Sequence, residues 1–229
     1  MSDTTIRRPA WQTIPVVIVC GCLLAVVSFG PRSTLGFFLT PMSSAHGWGR
    51  DVFALALAIQ MLLWGAAQPF VGAIADKYGA VRVLSAGAVL YSLGFAAMAF
   101  SSTPGAIYLS AGVLVGFGLA GASFTIVIGA FGKLLPAEWR SFSFGLGTAA
   151  GSFGQFLFSP LAIGLNSAFD WRVTLLIFAG VVLLVLPLSL ALAVPKSPQN
   201  AAQRITDQSV GAAFREAVEA GAGGLRVET

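Results

Sequence analysis

Apolar residues are gathered into six long segments, and the polar and turn-forming residues fall almost entirely between them. Each segment is long enough to cross a bilayer, which takes roughly 17–25 helical residues. We therefore predict an all-α fold with six membrane-spanning helices, forming one bundle between residues 14 and 194. The predicted bounds are 14–41, 51–75, 83–100, 105–131, 141–165 and 173–194.

Proline and glycine predict where these helices bend. Gly30-Pro31 predicts a kink or local break in the first helix, because proline lacks the N–H that would bond to the preceding turn. Pro69, Pro160 and Pro187 predict kinks in the second, fifth and sixth helices. Pro195 is expected to end the sixth helix, and a polar tail follows it.

The amino-acid composition indicates an integral membrane protein. Charged residues make up 10% of the 229 residues and hydrophobic residues 56%, whereas a soluble domain carries about 25% charged residues. The formal net charge of +4 comes from basic residues that are scattered over short loops. We interpret them as determinants of membrane orientation and not as a nucleic-acid-binding surface.

The basic residues predict which helix ends face the cytoplasm. Ten of the 13 basic residues lie on the same side of the membrane as the N-terminus, and Arg50 and Arg172 lie on the opposite side. Both termini, including residues 1–13 and 195–229, are therefore predicted to be cytoplasmic. The pair Arg7-Arg8 resembles the start of a signal peptide, but the following apolar segment is too long, so we expect an uncleaved first helix.

Neither the cysteines nor the histidine indicates a metal or redox site. Cys20 and Cys22 are two residues apart on a predicted helix, so they point in different directions, and we interpret them as small packing residues. His46 is the single histidine and lies in a short polar loop. Without a phosphate-binding loop or an acidic or histidine side chain within a span, the sequence predicts no enzyme, no metal and no cofactor.

The thirteenth basic residue, Arg32, lies inside an apolar segment. A charged side chain at the centre of a bilayer costs about 2.5–3.5 kcal/mol or more unless it has a partner or a wet cavity. No span contains a carboxylate inward of its end residues, so a carboxylate substrate, whose planar shape matches the guanidinium fork, is one interpretation. The alternative is that Arg32 extends outward and pairs with Asp51 or Asp170 near the membrane surface.

Polar residues at helical spacing extend this candidate site. Ser28 precedes Arg32 by one turn, and Gln60, Trp64 and Gln68 are four residues apart on the second helix. Aligned in this way, they suggest the wall of a water-accessible cavity. Ordinary packing between helices would explain the two glutamines and Trp64 equally well. We take all five residues as candidate substrate-binding residues.

The turn between the second and third helices carries the most specific motif. It reads Gly72-Ala-Ile-Ala-Asp76-Lys77-Tyr-Gly79-Ala-Val-Arg82, in which Gly79 is suited to a tight turn and Gly72 to the close approach of another helix. The motif resembles the glycine–aspartate–basic–glycine–basic signature of the major facilitator superfamily. The resemblance implies half of that fold, with two inverted three-helix repeats. It also implies a conformational latch formed by Gly72, Asp76, Lys77, Gly79, Arg82 and Arg140.

A narrower resemblance concerns the first helix and the loop after it. Gly30-Pro31-Arg32-Ser33, Gly36-Phe37-Phe38 and Gly47-Trp48-Gly49-Arg50 are similar to the monocarboxylate transporter family and its bacterial relatives, including the oxalate:formate antiporter group. This implies secondary active transport of small organic anions across a bacterial inner membrane, with Arg32 acting in substrate binding or proton coupling. Drug–proton antiporters usually carry an arginine near the start of helix 4, and residues 104–132 contain none.

Superfamily members normally have two six-helix bundles, and this sequence predicts one. The tail, residues 195–229, resembles their central linker, and Phe214-Arg215-Glu216-Ala217 with Val210 and Val218 predicts a short amphipathic helix. Two hypotheses stay open. One is a half-transporter of small organic anions, with protons as a candidate co-substrate, that works as a homodimer or with a separate second half. The other is a non-transporting six-helix remnant or interaction subunit left by truncation.

Overall fold

The computed structural model describes residues 11–194, which form six helices connected by short turns. Their bounds are α1 Ile14–His46, α2 Arg50–Tyr78, α3 Ala80–Ala99, α4 Pro104–Leu134, α5 Ala137–Ala168 and α6 Trp171–Leu192. The prediction of six helices is confirmed. The predictions for residues 1–10 and 195–229, including the short amphipathic helix of the tail, lie outside the described residues.

The helices have the dimensions of membrane spans. Five of them, all except α5, are both long enough and apolar enough to cross a membrane. At 32 residues α5 is also long enough, but its many glycine and serine residues make it less apolar. Its surface still exposes large side chains such as Phe153 and Phe156. Exposed apolar side chains along helices of this length are suited to lipid or to another membrane helix.

The connections are shorter than the sequence predicts because the helices continue into polar residues. Asp76 belongs to α2 and Arg82 to α3, and Gly79 turns the chain between them with a φ of 95°. Lys133 lies in the last turn of α4 and Arg140 in the first turns of α5. A charged side chain at a helix end reaches the aqueous boundary of a membrane, so it does not need to end the helix.

Helix packing relates the two three-helix units to each other. α1 packs along α5, α4 packs along α2, and α3 packs against α6. Exchanging α1–α3 with α4–α6 converts the first contact into the second, as expected for internal repeats. Glycine makes both contacts close. A Cβ atom at Gly154 would lie 2.6 Å from the carbonyl oxygen of Val26, and one at Gly116 would lie 3.1 Å from that of Gln60.

The interruption of α1 begins later than predicted. The α-helix passes through Pro31 to Ser33, and a 3₁₀ turn, Leu35–Phe38, follows it. The hydroxyl of Ser33 donates to the carbonyl of Gly30, and that of Thr34 donates to the carbonyl of Pro31, both at 2.7 Å. These two hydroxyls add hydrogen bonds to backbone carbonyls where the helix type changes, and the carbonyl of Pro31 also accepts the N–H of Thr34 at 3.2 Å. The break predicted at Gly30-Pro31 is therefore displaced to Thr34.

Candidate functional site

The guanidinium of Arg32 lies against the middle turns of α2, next to Met61 and Trp64. Its Nη2 donates to the sulfur of Met61 at 3.0 Å, and its Cζ lies 4.5 Å from the centroid of the Trp64 indole ring. A cation over an indole face is attracted by the negative face of the ring. Within residues 11–194 Arg32 forms no ion pair, so the outward alternative, with Asp51 or Asp170 as partner, is not what this structure adopts.

Two N–H groups in this cluster are buried and have no acceptor. They are Nε of Arg32 and Nε1 of Trp64, neither of which has a hydrogen-bond partner among the described residues. A buried donor that stays unpaired costs about 1–3 kcal/mol. An ionised carboxylate only accepts hydrogen bonds and has two oxygens. In chemical terms the cluster is therefore suited to a small carboxylate.

Ser28 supports a break in α4. The α-helix stops at Gly121 and restarts at Phe124, and the hydroxyl of Ser28 donates to the buried carbonyl of Ala122 at 2.7 Å. The phenol of Tyr91 in turn donates to the carbonyl of Ser28 at 3.4 Å. Irregular backbone at membrane depth is tolerated where protein surrounds it and satisfies its polar groups. α1 and α3 provide these contacts through Ser28 and Tyr91, and Ser28 lies one helical turn before Arg32.

Gln60 supports a second irregularity in α4. The segment Tyr108–Leu114 is a π-helix, in which backbone carbonyls lose their ordinary partner one turn later. Gln60 is completely buried, and its Nε2 donates to the carbonyl of Ala111 within this segment at 3.1 Å. Gln68 is half-buried, one turn beyond Trp64. The structure thus brings Arg32 and Trp64 together, whereas Ser28 and Gln60 are directed to the backbone of α4.

Sequence reasoning missed three residues around this site. Met61 reads as one more apolar residue of α2, and nothing in the sequence indicates its contact with Arg32. Tyr91, the largest of the completely buried side chains, sits in an apolar run of α3. Ser123 precedes the second part of α4 and has a buried hydroxyl without a partner among the described residues. The small residues before Phe124, Gly-Ala-Ser, are the one signal that could have predicted this break.

The motif of the α2–α3 turn forms an ion pair with α4. The Nζ of Lys133 lies 2.6 Å from Oδ1 of Asp76, and both side chains are largely exposed. Arg140, at the start of α5, donates from Nε to the carbonyl of Leu135 at 3.0 Å and so caps the end of α4. Lys133 is not among the latch residues that the sequence predicts. The role of these residues as a latch stays a prediction.

The other motif residues have different surroundings. The amine of Lys77 lies 5.5 Å from the centroid of the Tyr78 ring, and Arg82 is exposed. A Cβ atom at Gly72 would meet nothing within 4 Å. The close approach of a neighbouring helix expected at Gly72 is therefore not found among α1–α6.

Comparison with known families decides the class of the protein. The family model described as Major Facilitator Superfamily matches residues 21–222. The chain belongs to the major facilitator superfamily. The family and the apolar helices therefore indicate a multi-pass membrane protein.

Two relatives and one solved structure describe the resemblance more closely. The protein named Monocarboxylate transporter 11 from Mus musculus is 33% identical over 197 residues, which cover 79% of this chain and 43% of the relative. The protein of the same name from Homo sapiens is 34% identical over 150 residues, which cover 64% of this chain and 31% of the relative. A structure described as the inward open conformation of the xylose transporter XylE from E. coli has a TM-score of 0.62 and 17% identity. The aligned region covers 93% of this chain and 56% of the xylose transporter chain.

These matches establish the family and the fold, and they show that the chain is shorter than its relatives. The chain spans less than half the length of both monocarboxylate transporter relatives. At 17% identity the xylose transporter supports the major facilitator fold alone. The predicted likeness to half of a major facilitator protein, with the monocarboxylate transporter group among its relatives, is confirmed.

Proposed function

We propose that this protein acts in the secondary active transport of small organic anions, monocarboxylates in particular, by alternating access. The observation that carries the proposal is the position of Arg32, a guanidinium inside a membrane span with no ion-pair partner among residues 11–194. Such a group is retained in a membrane when it serves a substrate or an ion pathway. The resemblance to proteins named monocarboxylate transporters supports the same substrate class.

Arg32 would act as the carboxylate anchor and Trp64 as its support. Stacking over an indole occupies one face of a guanidinium and leaves the donors at its edge free for a carboxylate. Nε of Arg32 would supply one such donor, and Nε1 of the Trp64 indole would supply a second hydrogen-bond donor. Met61 would place an apolar thioether beside the anion, which favours a substrate with one charge and a small apolar body. A single guanidinium balances a single carboxylate.

Alternating access would require a second six-helix unit. Transporters of this type rock two bundles around a site between them, and α1–α6 form one bundle. We propose a second copy of this chain or a separate second half as the partner, with residues 195–229 as the connecting or cytoplasmic segment. The pair Asp76–Lys133 and the cap made by Arg140 would then form part of the latch. The membrane would be a bacterial inner membrane, with both termini cytoplasmic.

Uptake into proteoliposomes tests this function. Labelled lactate, pyruvate, formate and oxalate would be offered to vesicles that contain the chain alone, or the chain with a co-reconstituted second unit. We expect saturable uptake of at least one monocarboxylate, its loss in Arg32→Ala, and its retention in Arg172→Ala, which removes an arginine from the end of the bundle. Absence of uptake in every arrangement would favour the six-helix remnant instead. Uptake that is unchanged in Arg32→Ala would exclude Arg32 as the anchor.

A further inference from the structure

A groove of about 500 Å³ lies between α2, α3 and α4, next to the α2–α3 turn. Gly87 and Gly121 form its floor, and the backbones of α3 and α4 touch there because neither residue has a side chain. Ile74 and Phe117 form parts of its walls, with 46% and 43% of their surfaces exposed. The volume is within the range of roughly 300–1,000 Å³ that ligand pockets occupy.

The lining of the groove is almost entirely apolar, and its one charged residue, Arg82, lies at the end next to the α2–α3 turn. Arg82 and Tyr78 lie at the mouth, where α2 ends and α3 begins. Leu90 lies eight residues after Arg82 on α3, which is about 12 Å deeper at the rise of an α-helix. Tyrosine and arginine side chains prefer the boundary between headgroups and hydrocarbon. The order of the lining thus matches the order of headgroup and acyl chain in a phospholipid.

The mouth of the groove is positively charged. Arg82 forms no ion pair within residues 11–194, and the carboxylate of the neighbouring turn, Asp76, is paired with Lys133 on α4. Lys77 is on the same turn, over the ring of Tyr78. Two cations therefore remain without a carboxylate among the described residues of this turn. That charge is complementary to a phosphate, which accepts hydrogen bonds from a guanidinium.

We propose that the groove binds one anionic phospholipid. Its phosphate pairs with Arg82, and one acyl chain lies along Ile74, Leu90 and Phe117 over the glycine floor. The lipid contacts α2, α3 and α4 together, so it stabilises their arrangement beside the turn that carries Asp76. This inference does not depend on the transport function or on the nature of the transported substrate.

Competitive lipid retention tests the proposal. The purified full chain would be equilibrated with an equimolar mixture of phosphatidylglycerol and phosphatidylcholine, and the lipids that stay bound would be counted by native mass spectrometry. A basic residue next to a bound anionic headgroup contributes about a fivefold preference for that lipid. We expect Arg82→Gln to lower the ratio of bound phosphatidylglycerol to phosphatidylcholine by about fivefold. Arg140→Gln, which removes a cation from the same end of the bundle but outside the groove, should leave the ratio unchanged.

A second variant tests the apolar part of the site. Ala86 is an exposed residue of the groove wall, so Ala86→Phe fills the groove without entering the core, and it should reduce retention of both lipids. Ala54→Phe makes the same change at an exposed position of α2 and should not. Equal retention of both lipids by the unmodified chain, or unchanged retention in both Arg82→Gln and Ala86→Phe, would overturn the proposal. A changed oligomeric mass of Ala86→Phe without lipid loss would assign the groove to a protein partner instead.

Discussion

The contact between Arg32 and Trp64 makes a quantitative prediction about stability. If the guanidinium rests on the indole, as the distance of 4.5 Å indicates, the effects of Arg32→Gln and Trp64→Leu should not be additive. A cation–π contact contributes about 0.5–1 kcal/mol at an exposed site and about 2 kcal/mol when it is desolvated. Arg32 is half-buried, so we expect a coupling free energy of about 1–2 kcal/mol between these limits.

A double-mutant cycle measures this coupling. The two single variants and the double variant would be unfolded reversibly with SDS, and the free energy of unfolding would be obtained from far-UV circular dichroism. A second cycle with Arg32→Gln and Asp51→Asn serves as the matched control, because it tests the outward orientation of Arg32. We expect additivity within about 0.3–0.5 kcal/mol for the control, as for sites that do not touch.

The opposite pattern would refute the packing of Arg32 on α2. Additive effects of Arg32→Gln and Trp64→Leu, together with coupling between Arg32 and Asp51, would show that the guanidinium points outward. The site would then lose the group that carries the proposed function.

Three further predictions test the bundle around the site. Gly118→Ala places a Cβ atom 2.5 Å from a backbone nitrogen of α3, so it should destabilise the chain by about 1–3 kcal/mol. Gly129→Ala is the control, because a Cβ atom there meets nothing within 4 Å. Equal thermal unfolding temperatures of the two variants would contradict the packing of α3 on α4. Gln60→Leu should cost about 0.5–1.5 kcal/mol of unfolding free energy, because it removes the hydrogen bond to the carbonyl of Ala111 in the π-helix, and a neutral result would show that this hydrogen bond is dispensable. Lys133→Gln should cost less than about 1 kcal/mol, because the ion pair with Asp76 is exposed, and a larger loss in a denaturation series would show that the pair holds the fold.

The helices could be predicted from sequence because the bilayer imposes one simple requirement. An uninterrupted apolar stretch must form a helix there, since every backbone N–H and C=O has to be paired within it. Even α5, which is less apolar than the others, is predictable from the polar and turn-forming residues at its two ends. The turn at Gly79 was predicted for a local reason as well, because glycine adopts a positive φ without strain.

The interior of α4 could not be predicted in the same way. Its π-helix and its break depend on side chains from other helices: Gln60 reaches Ala111 from α2, and Ser28 reaches Ala122 from α1. Within α4 itself, the small residues before Phe124 are the one signal for the break, and no pattern indicates the π-helix. The same limit explains Met61, whose contact with Arg32 depends on how α1 and α2 pack. Arg32 was identified from sequence because a charge in an apolar segment needs an explanation, whatever surrounds it.

The most direct test of the account is the affinity of the chain for a small carboxylate with and without Arg32. Equilibrium binding of labelled pyruvate to the purified protein, alone or with its second unit, would be compared between the unmodified chain, Arg32→Lys and Arg32→Gln. Hydrogen bonds to a charged group contribute about 1.5–3 kcal/mol, so Arg32→Gln should weaken binding by about 10- to 150-fold. The affinity of Arg32→Lys for pyruvate should lie between those of the unmodified chain and Arg32→Gln. The uncharged amide of pyruvate should bind equally to the three proteins. Pyruvate binding that is as tight in Arg32→Gln as in the unmodified chain would contradict the account.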